Sequence, residues 1–223
     1  MLKKFMDLST VKNILLLNYG VTFRLKSKGP ACLLKVSPRK TLLDKQIFTL
    51  KKSFPHSNII VVTGFKLKKI KTSFPKNVRI VENKDFEETN CLYSIALAME
   101  DLEIKDSLLV IPGNTYFKPN LFNKFDKRIS QLWLTKQYQE LGCVVNEDKI
   151  QHVMWTLTNY WTNIGYFTGE ELTLLKQMIK TQDGIEKLFL FEAINKIVDA
   201  GGKFKAVMKK NKIKFINKIS DLQ

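Results

Sequence analysis

Short, uninterrupted runs of apolar residues alternate with segments of helical periodicity through the first half of this 223-residue chain. An uninterrupted apolar strand has no face suited to water, so each run predicts a strand that is buried on both sides. These runs are residues 13–18, 58–64, 78–81 and 107–112. Helical spacing of apolar residues lies between them, at residues 41–54, where Thr41 can cap the helix, and at residues 90–102. The order β-α-β-β-α-β predicts a three-layer αβα fold of the α/β class, in which helices cover both faces of a mixed, mostly parallel sheet.

The second half of the chain gives weaker signals, which indicate hairpins and amphipathic helices. The predicted strands are residues 141–145, a hairpin partner near 151–158, and 161–168. The predicted helices are residues 169–180 and 185–200, the second ended by Gly201 and Gly202. Residues 203–208 and 212–216 predict a closing hairpin. Because no internal repeat and no linker rich in Pro, Gly or Ser divides the chain, we expect one domain over residues 1–223.

Length and composition suffice for one hydrophobic core and give no sign of a membrane protein. Hydrophobic residues make up 44% of the chain, and no stretch reaches the ~18 uncharged apolar residues that a membrane span needs. The first ten residues lack the apolar segment of a secretory signal. Cys32, Cys91 and Cys143 match neither a metal-ligand spacing nor a disulfide framework. We therefore expect a cytoplasmic protein with reduced thiols.

The formal net charge of +16 leaves two interpretations open. A basic face can bind nucleic acid, an anionic membrane surface or another polyanion. Alternatively, the lysines are simply solvated, because they are dispersed along the chain and form no block of five like charges. No recognised nucleic-acid-binding motif accompanies them.

The first apolar run leads into a turn that can bind phosphate. The stretch reads LLLNYGVTFRLKSKGPACLLKV, with Gly20 at the turn and Arg24 after it. Backbone N–H groups at such a turn can surround phosphate oxygens, and an arginine can pair with them. A purely structural turn is the alternative, because many connections between a strand and a helix contain a glycine.

Several segments, in the same order along the chain, resemble the signature of nucleotidyltransferases. Gly20, Arg24, Pro30 and the KTLL run at residues 40–43 match the family's G-x-G-[ST]-R, P-K and K-[PT]-L-L motifs in place. The segment VRIVENKDFEETNCLYSIALA resembles phosphocholine-type cytidylyltransferases, with matches at Asn83, Phe86, Thr89, Asn90, Ser94 and Ala98. Further parts of the family pattern are similar to the segments NIIVVTGFKLKKI, LLVIPGNTYF, WTNIGYFTGEELTLLKQMI and KIKFINKISDL.

This resemblance implies a Rossmann-like nucleotidyltransferase fold of the glycosyltransferase-A type. Residues 1–120 would form the nucleotide-binding half and residues 121–223 the acceptor-binding half. Family members transfer a nucleotidyl group, here CMP from CTP, to a small phosphorylated acceptor. They usually do so with Mg²⁺ that is held by carboxylates.

The resemblance also assigns roles to individual residues. The nucleotide-binding positions are Gly20, Thr22, Asn90, Ser94 and Asn114. Arg24 would pair with the phosphates during catalysis. The acceptor-binding positions are Trp155, Trp161 and Tyr166, because in choline-type relatives aromatic rings can surround a quaternary ammonium group. Structural alternatives remain: Asn90 as a helix N-cap, Ser94 as a surface serine, and the aromatic residues as core.

The chain departs from the family pattern at the residues that carry the chemistry. Thr22 replaces the second glycine, and Ala31 replaces the phosphate-binding lysine. Asn114 and Asn217 stand where the family has the aspartates that bind the metal, and we expect the two side chains to converge. An amide brings no negative charge to a hard, strongly hydrated dication, so the Mg²⁺ of the family is in doubt here. Lys35 is the candidate for a substitute cation.

Two functional hypotheses follow, and the sequence leaves open whether the protein is an enzyme. The first is a nucleotidyltransferase with impaired or altered catalysis. The second is a catalytically degenerate pseudoenzyme that acts by binding a nucleotide, another protein or an anionic polymer. Direct binding of nucleic acid is a weaker third hypothesis, which rests on the net charge alone.

Overall fold

A computed structural model describes residues 11–18, 20, 23–71, 78–100, 107–123, 125–155, 158–210 and 212–222. The helices of this part of the chain are α1 (Leu42–Ser53), α2 (Leu67–Lys71), α3 (Cys91–Met99), α4 (Gly169–Thr181) and α5 (Leu190–Asp199). The strands are β1 (Asn13–Asn18), β2 (Lys35–Ser37), β3 (Lys40–Thr41), β4 (Asn58–Thr63), β5 (Arg79–Glu82), β6 (Leu108–Pro112), β7 (Thr115–Phe117), β8 (Gln131–Thr135), β9 (Leu141–Asn146), β10 (Lys149–Trp155), β11 (Tyr160–Phe167), β12 (Lys205–Met208) and β13 (Ile213–Phe215).

Nine of these strands form one mixed sheet, in the order β5-β4-β1-β6-β11-β8-β12-β10-β9. The four strands predicted from the apolar runs of the first half, β1, β4, β5 and β6, are parallel to one another. β11 joins the two halves, because it is antiparallel to both β6 and β8. The mixed α/β fold predicted from the sequence is confirmed.

Alternate residues of β1 enter two different hydrophobic cores, which explains why the strand is apolar throughout. Ile14 and Leu16 pack in a core with α1 and α2, whereas Leu15 packs in a core with α3, α4 and α5. All three side chains are fully buried. Helices therefore cover both faces of the sheet, and burial of each such side chain stabilises the fold by about 1.5–3 kcal/mol.

The start of α1 is fixed by the capping residue that the sequence predicts. Thr41 Oγ1 accepts a hydrogen bond from Asp44 N at 3.1 Å, and Asp44 Oδ2 accepts one from Thr41 N at 2.8 Å. This capping box contributes about 0.5–2 kcal/mol. The helix ends just before Phe54 and Pro55.

The predicted helix over residues 185–200 is wrong in its first turn. Residues Ile185–Lys187 form a separate 3-10 turn, and Leu188 and Phe189 are extended before α5 begins at Leu190. The cause is tertiary, because the start of α3 uses the backbone of this segment as hydrogen-bond acceptors. Asn90 N donates to Glu186 O at 2.7 Å, and Leu92 N donates to Leu188 O at 3.4 Å.

The closing hairpin predicted from residues 203–208 and 212–216 is also wrong. β12 pairs with β8 in parallel and with β10, whereas β13 pairs with β7 in a separate two-stranded sheet. Non-local pairing therefore replaces the expected local turn. In the described residues, no helix has the length and apolar composition needed to span a membrane.

Candidate functional site

The strand order places a crevice between the carboxyl ends of β1 and β6. From β1 the chain continues to β4 and β5 on one side, and then returns to β6 on the other side. Open α/β sheets bind ligands at such a reversal of strand order, outside the carboxyl ends of the strands. Asn18 ends β1, and Gly113 and Asn114 follow β6.

Two adjoining cavities lie at this edge of the sheet. The smaller cavity, about 360 Å³, is lined among others by Asn18, Gly20, Trp155 and Phe191. The larger cavity, about 680 Å³, is lined among others by Arg24, Tyr138, Asn217, Lys218 and Asp221. Residues that line both cavities are Pro112, Asn114, Glu140, Leu141 and Asn163. The two cavities therefore form one continuous cleft.

The turn after β6 is held in place from helix α1. Gln46 is buried, and its Nε2 donates to Thr115 O at 2.7 Å and to Gly113 O at 3.3 Å. The pairing of β7 with β13 then brings the end of the chain to the same turn, since Ile216 N donates to Asn114 O at 2.8 Å. A helix and a distant strand thus fix both sides of the position that Asn114 occupies.

Asn114 and Asn217 converge, as the sequence leads us to expect. Asn114 Nδ2 donates a hydrogen bond to Asn217 Oδ1 at 2.8 Å. The turn that carries Asn217 is closed by Asp221, whose Oδ2 accepts from Asn217 N at 2.8 Å and from Lys218 N at 2.9 Å. Two residues 103 positions apart in sequence therefore form a direct side-chain pair in the cleft.

This pair does not provide the donor set of a magnesium site. Two aspartates at hydrogen-bond distance would need a cation or a shared proton between them, because like charges so close disfavour joint ionisation. Two amides instead share one hydrogen bond as donor and acceptor and carry no charge. In the part of the chain that the structure describes, no group of three or more His, Cys, Asp or Glu side chains could hold a metal ion. The Asn114–Asn217 pair therefore does not supply the two carboxylates that the resemblance implies for Mg²⁺.

Cationic side chains are present in the larger cavity but differ from the one proposed as a substitute. Arg24, in the 3-10 helix Phe23–Lys28, and Lys218 both line it, together with Glu140 and Asp221. Lys35 is exposed on β2 and is not among the residues that line either cavity. The structure therefore brings Arg24 to the cleft and leaves Lys35 outside it. Lys218 was not anticipated from the sequence.

The turn after β1 contributes Gly20 to the smaller cavity. A Cβ at this position would meet no atom within 4 Å, so packing within the protein does not require the glycine. Thr22, the other predicted nucleotide-binding residue of this turn, lies outside the described residues. Pro30 and Ala31 also line the smaller cavity, so the position of the missing lysine faces the cleft.

Asn90 and Ser94 organise the start of α3 and line neither cavity. Asn90 occupies the N-cap position, but its side chain makes no capping bond and donates instead to Lys187 O. Ser94 is fully buried and accepts a hydrogen bond from Asn83 Nδ2 at 2.9 Å. The expectation of a surface serine is therefore wrong. Both residues shape the connection between β5, α3 and the segment before α5.

The three aromatic residues predicted to bind the acceptor lie in different places. Trp155 is 51% exposed and Trp161 is buried, and both line the smaller cavity. The ring of Trp161 is fixed by a hydrogen bond from Nε1 to Ile164 O at 3.1 Å. Tyr166 lies in the core with α1, and its hydroxyl donates to Lys127 O at 2.9 Å. Burial raises the pKa of Tyr166, so its hydroxyl stays neutral.

Sequence reasoning missed the aromatic residues that accompany Trp155. The rings of Phe189 and Phe191 stack at 5.9 Å, and the ring of Phe191 meets Trp155 edge to face at 5.8 Å. All three line the smaller cavity. Phe189 and Phe191 fall within the segment predicted as one helix, where apolar residues are expected in the core. Their position in the cavity lining follows only from the extended backbone at Leu188 and Phe189.

The buried thiols are poor candidates for nucleophilic chemistry. Burial raises the pKa values of Cys32 and Cys143 to about 12, which keeps both protonated near neutral pH. Cys91 is partly buried and lines the smaller cavity, where its Sγ accepts a hydrogen bond from Leu190 N at 3.1 Å. This contact joins the start of α3 to the start of α5.

No known protein-family model matches the sequence, and no curated protein matches it. Solved structures do. The inositol-1-phosphate CTP transferase of T. maritima is 20% identical with a TM-score of 0.74, covering 96% of this chain and 92% of its own. The CTP:phosphocholine cytidylyltransferase of Streptococcus pneumoniae is 19% identical with a TM-score of 0.71, covering 95% and 96%. A nucleoside-diphosphate-sugar pyrophosphorylase of Vibrio cholerae RC9 is 11% identical with a TM-score of 0.73, covering 94% and 97%. At these identities the likeness establishes a nucleotidyltransferase-like fold.

Proposed function

We propose that this protein, which has a nucleotidyltransferase-like fold, binds a nucleoside triphosphate and a small phosphorylated molecule in its cleft without the usual magnesium site. Nucleotidyl transfer is then impaired or absent, and binding is the function that remains. The hydrogen bond between Asn114 Nδ2 and Asn217 Oδ1, at 2.8 Å, carries this proposal. CTP is the favoured nucleotide, because two of the similar structures are named for its use and the segment of residues 78–98 resembles cytidylyltransferases.

The charged side chains of the larger cavity support binding of phosphate there. Arg24 and Lys218 supply positive charge beside the carboxylates of Glu140 and Asp221, and Asp221 already accepts two backbone N–H groups. A guanidinium can form paired hydrogen bonds with phosphate oxygens. In the metal-dependent reaction, a dication offsets the charge that develops on the transferred phosphate, and removal of one such group typically lowers the rate by ~10²–10³. Two side-chain cations bind an anion but do not replace that metal in geometry or charge density.

The aromatic side chains of the smaller cavity support binding of an uncharged or cationic ligand portion. Trp155, Phe189 and Phe191 present ring surface there, and the carboxylate of Glu140 lies at the junction with the larger cavity. Ring faces attract ammonium groups. We therefore propose a phosphorylated acceptor with an organic head group, of which phosphocholine is one member.

Calorimetric titration of CTP, once with Mg²⁺ and once with EDTA, tests the proposal. We expect the same dissociation constant under both conditions, to within a factor of about two. A parallel assay follows CTP consumption over phosphocholine, an inositol phosphate and sugar 1-phosphates, where we expect turnover near the blank. Absence of binding at millimolar CTP contradicts the proposal, as does binding that needs Mg²⁺.

A second candidate function is catalysis with altered groups, favoured by the presence of Arg24 and Lys218 in the cavity that holds the amide pair. In this case CTP consumption is measurable without a metal. We then expect Lys218→Ala to lower turnover at saturating CTP about tenfold or more, as loss of one charge-stabilising group does. Lys210→Ala is the matched control, since Lys210 is exposed and lines neither cavity.

A partner of opposite charge remains a prediction from the net charge of +16. Titration of the protein with heparin and with duplex DNA at two salt concentrations tests it. A polyanion partner requires affinity that falls steeply as salt rises.

A further inference from the structure

The positive charge of this protein is concentrated in the first third of its sequence. Residues 1–77 contain 17 Lys or Arg and 2 Asp or Glu, whereas residues 78–223 contain 20 and 19. The first segment therefore carries +15 of the formal net charge of +16. A charge difference of this size between two parts of one chain indicates an interaction with a polyanion or an anionic surface. Lysines that are merely solvated do not explain it, because they would be shared by both parts.

The fold places two helices of this segment on the same side of the sheet. α1 precedes β4 and α2 follows it, and Ile47 of α1 and Ile70 of α2 are buried in the same hydrophobic core. We call the outward side of these helices the α1–α2 surface. Besides Phe48, it consists of lysines that are exposed or half-buried, which are Lys45, Lys51, Lys52, Lys66, Lys68 and Lys69.

The charge of the α1–α2 surface is not balanced within its own part of the chain. Residues 11–71 of the sequence contain one acidic residue, Asp44. Its Oδ2 already accepts hydrogen bonds from Thr41 N at 2.8 Å and from Thr41 Oγ1 at 2.9 Å, in the capping box of α1. Lysines that share a surface with so few carboxylates create a positive potential, which attracts an anionic partner.

A large apolar side chain stands among these lysines. Phe48 is 66% exposed, whereas Ile47 and Leu50 of the same helix are buried. Lys45 and Lys52 lie three and four residues from Phe48 in the sequence, and therefore on the same side of α1. A helix that lies in a membrane interface combines aromatic side chains, which enter the boundary of headgroups and acyl chains, with lysines that attract anionic headgroups. The outward side of α1 has both elements of this pattern.

We propose that the α1–α2 surface binds an anionic phospholipid membrane, with the ring of Phe48 among the headgroups and the lysines beside the lipid phosphates. Single-stranded nucleic acid is the competing polyanion. Its binding sites combine a positively charged groove with several stacking rings, whereas Phe48 supplies one ring on the outside of a helix. The residues of the α1–α2 surface line neither cavity of the cleft, so this inference is independent of the proposed function.

Sedimentation of the full chain with sucrose-loaded vesicles tests this inference. The vesicles contain phosphatidylcholine alone, or an equal mixture of phosphatidylcholine and phosphatidylglycerol. We expect binding to the anionic vesicles alone, with an affinity that falls as salt rises, because salt screens exposed charges. Phe48→Ala should weaken this binding about tenfold, since less apolar surface leaves water, and should keep the wild-type thermal midpoint, since the ring is 66% exposed. Lys45→Ala combined with Lys52→Ala should weaken binding about fivefold for each lysine.

Matched controls lie outside the basic segment. Val144→Ala, at an apolar residue that is 41% exposed, is the control for Phe48. Lys149→Ala combined with Lys180→Ala is the control for the loss of two exposed charges. Both should bind within a factor of about two of wild type, because the effect of a charge falls off within a Debye length.

Three results would overturn the inference. The first is equal binding to neutral and anionic vesicles. The second is an affinity for anionic vesicles that Phe48→Ala or the lysine double variant leaves unchanged. The third comes from titration of a labelled oligothymidylate: if the protein binds it and does not bind anionic vesicles, the partner is nucleic acid and the assignment to a membrane is wrong.

Discussion

The larger and the smaller cavity differ in how far the protein satisfies the groups that line them. In the larger cavity, Asn114 and Asn217 bond to each other, and Asp221 accepts two backbone N–H groups. In the smaller cavity, Asn18 keeps an unpaired donor and the ring of Trp155 is half exposed. The comparison teaches that the Asn114–Asn217 amides are bonded to each other in the larger cavity, whereas the aromatic side of the cleft keeps exposed ring surface.

The two tryptophans of the smaller cavity give the largest expected effect. Trp161 is 1% exposed and Trp155 is 51% exposed. We expect Trp161→Ala to lower the free energy of unfolding by about 3–5 kcal/mol, because a large buried side chain is lost. Trp155→Ala should lower it by about 1 kcal/mol or less, and chemical denaturation measures both. If the Trp155 variant is as unstable as the Trp161 variant, the ring of Trp155 belongs to the hydrophobic core. The contrast drawn between the two cavities is then wrong.

Replacing both amides by carboxylates tests whether the Asn114–Asn217 hydrogen bond stabilises the larger cavity. In EDTA, Asn114→Asp combined with Asn217→Asp should lower the free energy of unfolding by about 2 kcal/mol. About half of this comes from the lost hydrogen bond and about half from charge repulsion near solvent. For a chain of this size that corresponds to about 4–8 °C in the thermal midpoint.

Millimolar Mg²⁺ should return most of that loss in the double variant and change the wild-type midpoint little. Asn146→Asp provides the control for an added charge at an exposed asparagine. A wild-type protein that Mg²⁺ stabilises as strongly as the double variant would show that the amide pair still accepts the cation.

Local sequence patterns were sufficient for the parts of the fold that local forces determine. The apolar run at β1 and the Thr41 cap of α1 depend on neighbouring residues, and both were predicted. The break before α5 was not, because it depends on hydrogen bonds from Asn90 and Leu92, almost a hundred residues away. The pairing of β13 with β7 is non-local for the same reason.

The candidate site shows the same division between local and tertiary information. Asn114 and Asn217 could be paired from the sequence because the family pattern relates the two positions. Phe189 and Asn18 could not be found, since exposure of an aromatic ring and lack of a hydrogen-bond partner are properties of the assembled structure. Lys35 was chosen for proximity in sequence, and proximity in sequence does not place a side chain in a cleft.

Cys91 reports occupancy of the smaller cavity with the smallest expected effect. Cys91 is partly exposed and lines that cavity, whereas burial raises the pKa values of Cys32 and Cys143 to about 12. Burial keeps those two thiols inaccessible and protonated at pH 8, so iodoacetamide should modify Cys91 first in the native protein. Saturating CTP or cytidine should slow this reaction about tenfold, and tripolyphosphate should not, because its charge belongs in the larger cavity. Mass spectrometry of the Cys91→Ser variant identifies the site. Equal protection by tripolyphosphate would mean that phosphate enters the smaller cavity. The assignment of phosphate to the larger cavity would then be wrong.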